Sequence, residues 1–294
     1  MGNAIAGWIN QLIEFIIQLM RDTIMNNLEG IFDSTNNQIH SIASLVGQSP
    51  DEMFGGAVFN IIENIASNII EPLGMLILAY VIIFEYIHMI IDKNNMKDFD
   101  TFAILKWIFK SGASIWVVSN VFTIALAIFD VTGSLVMGTA NLVSTNTTDA
   151  AEMLGNFQAI LDSAPWGEVI AMFFMSPLLN IAMHVMSICI FIIVMGRSFQ
   201  IFMMLSLAPV PFATFMNQQL QSVGINYSKK LLAIGLQGVL MLVCIAIYSA
   251  LLGGMVMSDG QLMAQMAYLM GYTVLLILGL FKTGSLADSM LGVS

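Results

Sequence analysis

The stretch from Arg197 to Gly238, RSFQIFMMLSLAPVPFATFMNQQLQSVGINYSKKLLAIGLQG, decides the fold. It begins like an ordinary membrane segment, but Pro209 and Pro211 lie in its middle with one residue between them. Each proline removes a backbone donor and crowds the carbonyl four residues earlier, so a straight spanning helix is not expected. Broken backbone at membrane depth needs cover from protein or from a wet cavity. We therefore predict a proline-broken, re-entrant segment over residues 199–216.

The composition of the whole chain indicates a membrane protein. Of its 294 residues, 58% are hydrophobic and only 10% are charged, whereas a soluble domain carries about 25% charged residues. The apolar runs are continuous and match the roughly 20 residues that cross a bilayer as a helix. The predicted fold class is therefore an all-α polytopic membrane protein, because a β-barrel would show alternating rather than continuous apolar runs.

Five apolar runs are long enough to cross the membrane. They are residues 69–91, 106–130, 168–196, 231–257 and 262–281. With the re-entrant segment they form a predicted transmembrane bundle over residues 69–294. Residues 1–68 are more polar, and we predict extracytoplasmic or interfacial amphipathic helices there, two of them short and near residues 24–46 and 53–68.

The first of these amphipathic helices is predicted over residues 3–22. At 100° per residue its polar side chains gather on an arc of roughly 120°. The other side is apolar and is led by Trp8, Leu12, Phe15 and Leu19. This face could lie in lipid headgroups or dock against a partner subunit, and the helix lacks the Lys and Arg typical of lipid binders.

The nine basic residues predict the topology. They are Arg21, Lys93, Lys97, Lys106, Lys110, Arg197, Lys229, Lys230 and Lys282. Basic residues collect on the cytoplasmic side of membrane proteins. If residues 199–216 cross the membrane, five basic residues lie inside and four outside; if the segment is re-entrant, eight of the nine lie inside. We therefore predict an outer N-terminus and a cytoplasmic C-terminus.

The residues around the two prolines also resemble a known family. After Arg197 come LSLAPVPFA over residues 205–213, Gly224, YSKK over residues 227–230 and LQG over residues 236–238. Together with the predicted topology, this pattern resembles the TrbL-type (VirB-six-like) subunit of type IV secretion systems. That subunit is the polytopic inner-membrane protein of conjugation machines, and the resemblance is to the version carried by mobile elements of single-membrane bacteria.

The resemblance implies a non-enzymatic channel or scaffold subunit of a conjugation machine in the bacterial cytoplasmic membrane. It implies a ring of identical copies, expected as a pentamer, that supports DNA or protein transfer. It further implies the secretion ATPases, a coupling protein and an extracellular stalk-like subunit as partners, beside membrane lipid. Transferred DNA is another candidate partner, which the sequence itself does not show.

The first predicted span carries a polar stripe of Glu85, His88 and Asp92. A Glu-x-x-His pair on a helix is half of a di-iron carboxylate motif, and a real site needs a second such pair from another helix. No other predicted span carries one. We therefore expect no metal or other cofactor, and predict instead a contact with Lys106 or Lys110 near the inner interface.

The third predicted span carries Pro177, Asn180 and His184 on one face. Polar residues of this kind commonly bond across membrane helices, which predicts a helix–helix contact. The other interpretation is that they line a path for a solute or a proton. With Pro209 and Pro211 they are our candidate structural or gating residues.

Small residues on the next span indicate close helix packing. Ala246, Ala250 and Gly254 follow one another at spacings of four, which lets helix backbones approach within one subunit or between subunits.

Signatures of an enzyme are missing from the sequence. It contains no GxxxxGK[ST] loop, no HExxH, no GxSxG and no cysteine cluster. Phosphates are bound by cations. The predicted inner-face contacts for a substrate or partner are therefore basic: Lys93, Lys97, Arg197, Lys229 and Lys230.

Two further functions come from other classes of protein. A small-solute or ion transporter would place its site at the helix broken by Pro209 and Pro211, although such transporters carry internal repeats and no second Pro-x-Pro segment exists here. An intramembrane metalloenzyme using His88 and His184 is the weakest alternative.

Overall fold

The computed structural model describes residues 2–48, 52, 55–92, 101–144, 150–254 and 262–293. The regular structure of these residues is helical throughout. The elements are α1 (Gly2–Gly47), α2 (Gly55–Ile65), a π-helical turn (Ala66–Ile70), α3 (Glu71–Asp92), α4 (Thr101–Ser119), α5 (Val121–Ser144), α6 (Ala150–Ser163), α7 (Trp166–Leu207), α8 (Pro209–Phe212), α9 (Gln221–Gly253) and α10 (Leu262–Met290).

Six helical segments of the described chain are long and apolar enough to cross a membrane. They are Gly55–Ile91, Thr101–Ser119, Val121–Ala140, Trp166–Leu207, Gln221–Leu252 and Ala264–Met290. The prediction of an all-α polytopic membrane protein is confirmed. The expected five spans become six candidates because the predicted span over residues 106–130 covers parts of both α4 and α5.

Helical hydrogen bonding continues from α4 into α5. Asn120, between them, donates its backbone N–H to the Trp116 carbonyl at 3.2 Å, and Ile124 donates to the Asn120 carbonyl at 3.0 Å. These are the i to i−4 bonds of an α-helix. The two candidate spans therefore share one run of helical backbone.

The N-terminal region is more continuous than the sequence suggests. In place of separate helices over residues 3–22 and 24–46, α1 is a single helix of 46 residues. Asn and Ser favour turns over helix interiors, but this helix has no proline to stop it. Ile24, Leu28 and Ile31, at spacings of four and three, are fully buried and stabilise its middle.

Residues 55–92 also form one helical run, so no helix boundary lies at the predicted division near residue 68. The π-helical turn comes just before Pro72, with Glu71 donating its N–H to the Ala66 carbonyl. A proline removes one donor and crowds the preceding turn, and a widened turn relieves that crowding without ending the helix.

The chain forms two compact units, and the predicted boundary at residue 68 stays a prediction. The first unit comprises Met1–Ser44, Gly138–Ile193 and Met241–Lys282. The second unit comprises Leu45–Met137, Val194–Leu240 and Thr283–Ser294.

The core of the first unit is apolar and contains several methionines. Leu28 of α1, Phe157 and Leu161 of α6, and Met172 and Met183 of α7 are all fully buried. Thioether side chains are flexible and polarisable, so they fill gaps between helices of irregular spacing.

The core of the second unit surrounds the two prolines of the Arg197–Gly238 stretch. Its buried side chains come from α3, α4, α5, α7, the segment after α7, and α9: Leu78, Val81, Val118, Val121, Ala125, Phe129, Ile201, Phe202, Leu205, Ala208, Phe212, Ala213, Met216, Leu231 and Ile234. The broken backbone is therefore covered by protein, as broken backbone in a membrane protein must be.

Candidate functional site

The helix breaks at Pro209 and Pro211, within the second half of the predicted segment 199–216. Helix α7 continues through Arg197 to Leu207, and residues 208–220, here called the proline turn, connect it to α9. Residues 199–207 are thus the last turns of α7 and not one arm of a separate hairpin. The reason is that Pro209 follows the end of α7 and opens the short helix α8, where a proline fits the first turn.

The carbonyls near the two prolines accept hydrogen bonds from within the segment. Ala208 donates to the Leu205 carbonyl at 3.4 Å, and Ala213 donates to the Pro209 carbonyl at 3.1 Å. The Pro211 carbonyl accepts the backbone N–H of Thr214 at 3.1 Å and its hydroxyl at 2.7 Å. The break is therefore closed by local bonds.

A tyrosine from α9 caps the end of α7. The Tyr227 hydroxyl donates to the Met204 carbonyl, in the last turn of α7. The last carbonyls of a helix have no helical donor, so this bond satisfies one of them. It also joins the two helices that flank the proline turn.

Two glycines make room for the prolines. A methyl group at Gly74 on α3 would lie 2.8 Å from both the Cβ and the carbonyl oxygen of Pro209. A methyl group at Gly224 on α9 would lie 2.8 Å from the Pro211 carbonyl oxygen. Because rigid backbone occupies the space at each position, only glycine allows this approach.

Asn217 anchors the proline turn through both the oxygen and the nitrogen of its side-chain amide. Its side chain is buried (2% exposed). The amide oxygen accepts the backbone N–H groups of Gln219 at 2.8 Å and Leu220 at 3.1 Å, just ahead of α9. This is how asparagine caps the start of a helix. The amide nitrogen donates to Glu85 Oε2 at 3.1 Å.

Glu85 carries the contact onward to α4. Lys110 Nζ lies 3.2 Å from Glu85 Oε1, with the two side chains 37% and 22% exposed. The predicted contact of Glu85 with Lys110 is confirmed. Glu85, Lys110 and Asn217, here called the carboxylate anchor, link α3, α4 and the proline turn, and the sequence did not reveal that Asn217 belongs to the group.

His88 does not join this anchor. Its ring packs edge-on against Phe84 at a centroid distance of 4.6 Å, while the Asp92 side chain lies outside the described residues. Across the described residues, no three His, Cys, Asp or Glu side chains are grouped so that they could hold a metal ion.

Arg197 is buried, which corrects its predicted role as an inner-face contact. Its side chain is 5% exposed. The guanidinium donates to backbone carbonyls of Ile234 at 3.0 Å, Gly235 at 3.3 Å and Val46 at 3.4 Å. A buried guanidinium surrounded by its own chain cannot contact a substrate, and burial between helices was not readable from the position of Arg197 in the sequence.

The remaining predicted cationic contacts differ in their surroundings. Lys229 is exposed. Lys230 forms a partly buried ion pair with Asp288 near the end of α10. Lys93 and Lys97 lie outside the described residues.

The face of α7 predicted to make polar contacts is largely exposed. Pro177 and His184 are exposed and Asn180 is half-buried. His184 Nδ1 lies 3.1 Å from the Asn180 carbonyl oxygen of its own helix. These placements leave the proposed gating role a prediction.

A neighbouring serine satisfies the backbone near Pro177. Ser176 is buried, and its hydroxyl lies 3.5 Å from the Phe173 carbonyl, which Pro177 deprives of its helical donor. Asn27 of α1 donates its amide to the Ser176 hydroxyl at 3.0 Å. The polar contact between helices expected at this level is therefore made by Ser176 and Asn27.

The small residues of α9 have open surroundings. Ala246 is half-buried, and Ala250 and Gly254 are exposed. A methyl group at Gly254 would meet only carbonyls of its own helix within 4 Å. The predicted packing at this stripe therefore stays a prediction for contacts between subunits.

Close helix approach within the second unit occurs instead at Gly235. A methyl group there would lie 2.5 Å from the Thr132 hydroxyl oxygen of α5. Glycine inside an apolar span is the signal that identifies such contacts.

The apolar face of the N-terminal helix has no cover from the described chain. Trp8 is 79% exposed, and Leu12, Phe15 and Leu19 are also exposed. Ile5, Trp8 and Leu12 contribute to a shallow apolar groove along this face. The choice between lipid and a partner subunit stays a prediction.

Comparison with known proteins identifies one family. A family model described as "TrbL/VirB6 plasmid conjugal transfer like protein" matches residues 35–209, more than half of the chain. The matched range contains Glu85, Lys110 and Arg197 and ends at the first proline of the proline turn. No curated protein and no solved structure matches the chain.

Proposed function

The chain belongs to the TrbL/VirB6-like family of plasmid conjugal transfer proteins, and we propose that it acts as a membrane scaffold subunit of a type IV secretion machine. The family implies a multi-pass subunit of the conjugal transfer apparatus. The finer role proposed here is to hold a rigid joint in the cytoplasmic membrane, around which other subunits assemble and through which DNA or protein transfer is supported.

The observation that carries the scaffold role is the carboxylate anchor, together with the local hydrogen bonds that close the proline turn. Glu85 accepts from both Lys110 and Asn217, at 3.2 and 3.1 Å. Charge-assisted hydrogen bonds are among the stronger ones in proteins. A break that is closed, capped and anchored in this way suits a fixed support.

The same bonds weigh against the small-solute transporter. Transporters with broken helices use unwound carbonyls and helix ends to coordinate their ions. Here the carbonyls of Leu205, Pro209 and Pro211 accept bonds from the segment itself, and Gly74 packs directly on Pro209. The scaffold role therefore accounts for more of the contacts.

We further propose an outer N-terminus and a cytoplasmic C-terminus. The asymmetry of basic residues supports this orientation. The continuous hydrogen bonding at Asn120 supports counting α4 and α5 as one crossing, which preserves the five crossings that this orientation needs.

The proposed assembly is a homo-oligomeric ring, with five copies as the expected number. The exposed Ala250 of α9 and Gly254 directly after it suit contacts between copies. The exposed apolar side chains of α1 suit the stalk-like subunit or lipid, and Lys229 suits the ATPases, the coupling protein or passing DNA.

The experiment that tests this function is DNA transfer from donor cells that lack the gene. Transfer should be lost on deletion and return with the wild-type gene, and purified protein should run as a ring in mild detergent. Undiminished transfer after deletion, or a strictly monomeric particle, would contradict the scaffold role. Ion flux through liposomes containing the pure protein would instead favour the transporter.

A further inference from the structure

Arg197 is a buried cation whose side chain donates hydrogen bonds to backbone carbonyls of two other helices, α9 and the end of α1. It extends from α7, and its side chain is 5% exposed. Its Nε donates to Ile234 of α9 at 3.0 Å and its Nη2 donates to Gly235 of α9 at 3.3 Å. Its Nη1 donates to Val46 of α1 at 3.4 Å. The planar fork of arginine suits several acceptors at once.

Of the three acceptors, the Val46 carbonyl is the one that connects Arg197 to α1. Val46 lies in the last turn of α1, which ends at Gly47. The last carbonyls of a helix lack helical donors and carry the negative end of the helix dipole. A cation placed there both satisfies an orphan acceptor and interacts favourably with the dipole.

The space for the guanidinium is created by a glycine. A methyl group at Gly238 of α9 would lie 3.0 Å from Arg197 Nη2 and 2.9 Å from side-chain atoms of Val46 and Val136. Gly196, next to Arg197 on α7, has nothing within 4 Å of the corresponding position. A glycine is therefore required at position 238, beside the guanidinium, and not at position 196.

Energetics make this joint hard to rearrange. A buried charge is costly unless its donors are satisfied. Separating the end of α1 from α9 would take at least one acceptor away from the guanidinium. The joint therefore favours the packed arrangement over any in which α1 moves independently.

We propose that Arg197 is a tether that locks the C-terminal turn of α1 to α7 and α9. Because α7 and α9 flank the proline turn, the tether fixes the end of α1 to the same helix pair that the turn connects. A load that a partner places on α1 then reaches this helix pair through the joint. Only this last consequence rests on the proposed function.

The test is hydrogen exchange of the purified full-length protein, comparing Arg197→Met, Arg197→Lys and Gly238→Ala with Gly196→Ala as the matched control. Hydrogen bonds from a charged donor are among the stronger ones in proteins, so their loss should be visible as faster exchange. We expect amides 42–47 to exchange at least about tenfold faster in Arg197→Met, with amides 208–220 unchanged. Arg197→Lys should give a smaller increase, since one ammonium cannot replace the fork.

Gly238→Ala should also accelerate exchange of amides 42–47, and Gly196→Ala should not. In the double variant Arg197→Met/Gly238→Ala the effect should be less than additive, because both changes act on one contact. If Arg197→Met does not accumulate folded, Arg197→Lys and Gly238→Ala carry the same test.

Unchanged exchange at amides 42–47, or an equal increase at amides 208–220, would overturn the tether. The exchange readout is separate from DNA transfer. If wild-type protein fails to support transfer while the exchange pattern is as expected, the proposed function fails and the tether stands.

Discussion

The proline turn and the exposed N-terminal part of α1 are both rich in apolar residues, yet they are held in opposite ways. In the proline turn Pro209, Phe212 and Met216 are buried, and Asn217 donates a hydrogen bond to Glu85. In α1 the side chains around Trp8 and Leu12 are exposed. The proline turn packs against glycines on the neighbouring helices, and hydrogen bonds close its backbone. The N-terminal part of α1 is a regular helix whose backbone bonds are already made, so it needs neither.

This comparison separates residues that should control stability from residues that should control association. A closely packed segment pays for any change in volume or bonding at once. An exposed helical face tolerates change in the isolated protein and shows its importance only when a partner or lipid is present.

The largest effect is expected from Gly74→Ala. The added methyl group would lie 2.8 Å from Pro209 Cβ and from its carbonyl oxygen, and overpacking of this kind typically costs about 1–3 kcal/mol or more. Thermal unfolding in detergent measures the loss. Gly112→Ala on α4, where nothing lies within 4 Å, is the matched control, and equal melting temperatures would contradict the close packing of Pro209.

The next effect is expected from Asn217→Ala. The substitution removes the cap ahead of α9 and the donor to Glu85, and loss of such a cap costs about 0.5–2 kcal/mol. Unfolding of this variant is compared with that of Asn226→Ala, a change at an exposed position on α9. An anchor role for Asn217 is untenable if both variants unfold alike.

The N-terminal face should behave differently. Trp8→Ala combined with Leu12→Ala should change stability by less than about 0.5 kcal/mol, as expected for exposed positions, while DNA transfer falls at least about tenfold because the apolar face no longer binds its partner. Gln11→Ala on the polar side of the same helix is the control. If the Trp8→Ala/Leu12→Ala variant showed a large drop in melting temperature and unaltered transfer, this face would serve stability and not association.

The smallest effect is expected at the neighbouring lysines of α9. Lys230→Gln breaks a partly exposed ion pair with Asp288, and such pairs contribute about 0–1 kcal/mol. Lys229→Gln, at an exposed position, should leave stability unaltered and thus serves as its control. Chemical unfolding resolves the difference, and a larger loss in Lys229→Gln than in Lys230→Gln would show that the assignment of the two lysines is wrong.

Parts of the candidate site could be predicted because they depend on local spacing. Glu85 of α3 and Lys110 of α4 lie on consecutive helices and only 25 residues apart, so their contact followed from the sequence. The participation of Asn217 did not, since it lies 132 residues from Glu85 and no pattern links the two.

The sequence by itself determined that this protein is helical and built for a membrane, because runs of apolar residues leave the backbone no other way to satisfy its polar groups in lipid. It also indicated the family, through residues around the two prolines, while the family model matches residues 35–209.

Only the tertiary structure decided what Arg197 and the prolines do. A basic residue near the end of an apolar run is expected to reach for the interface, and only packing against Gly238 and the Val46 carbonyl places it inside. Likewise, Pro209 limits where a helix can continue, but its effect depends on what lies beside it. Gly74 lies beside it here, so the break became a packed turn.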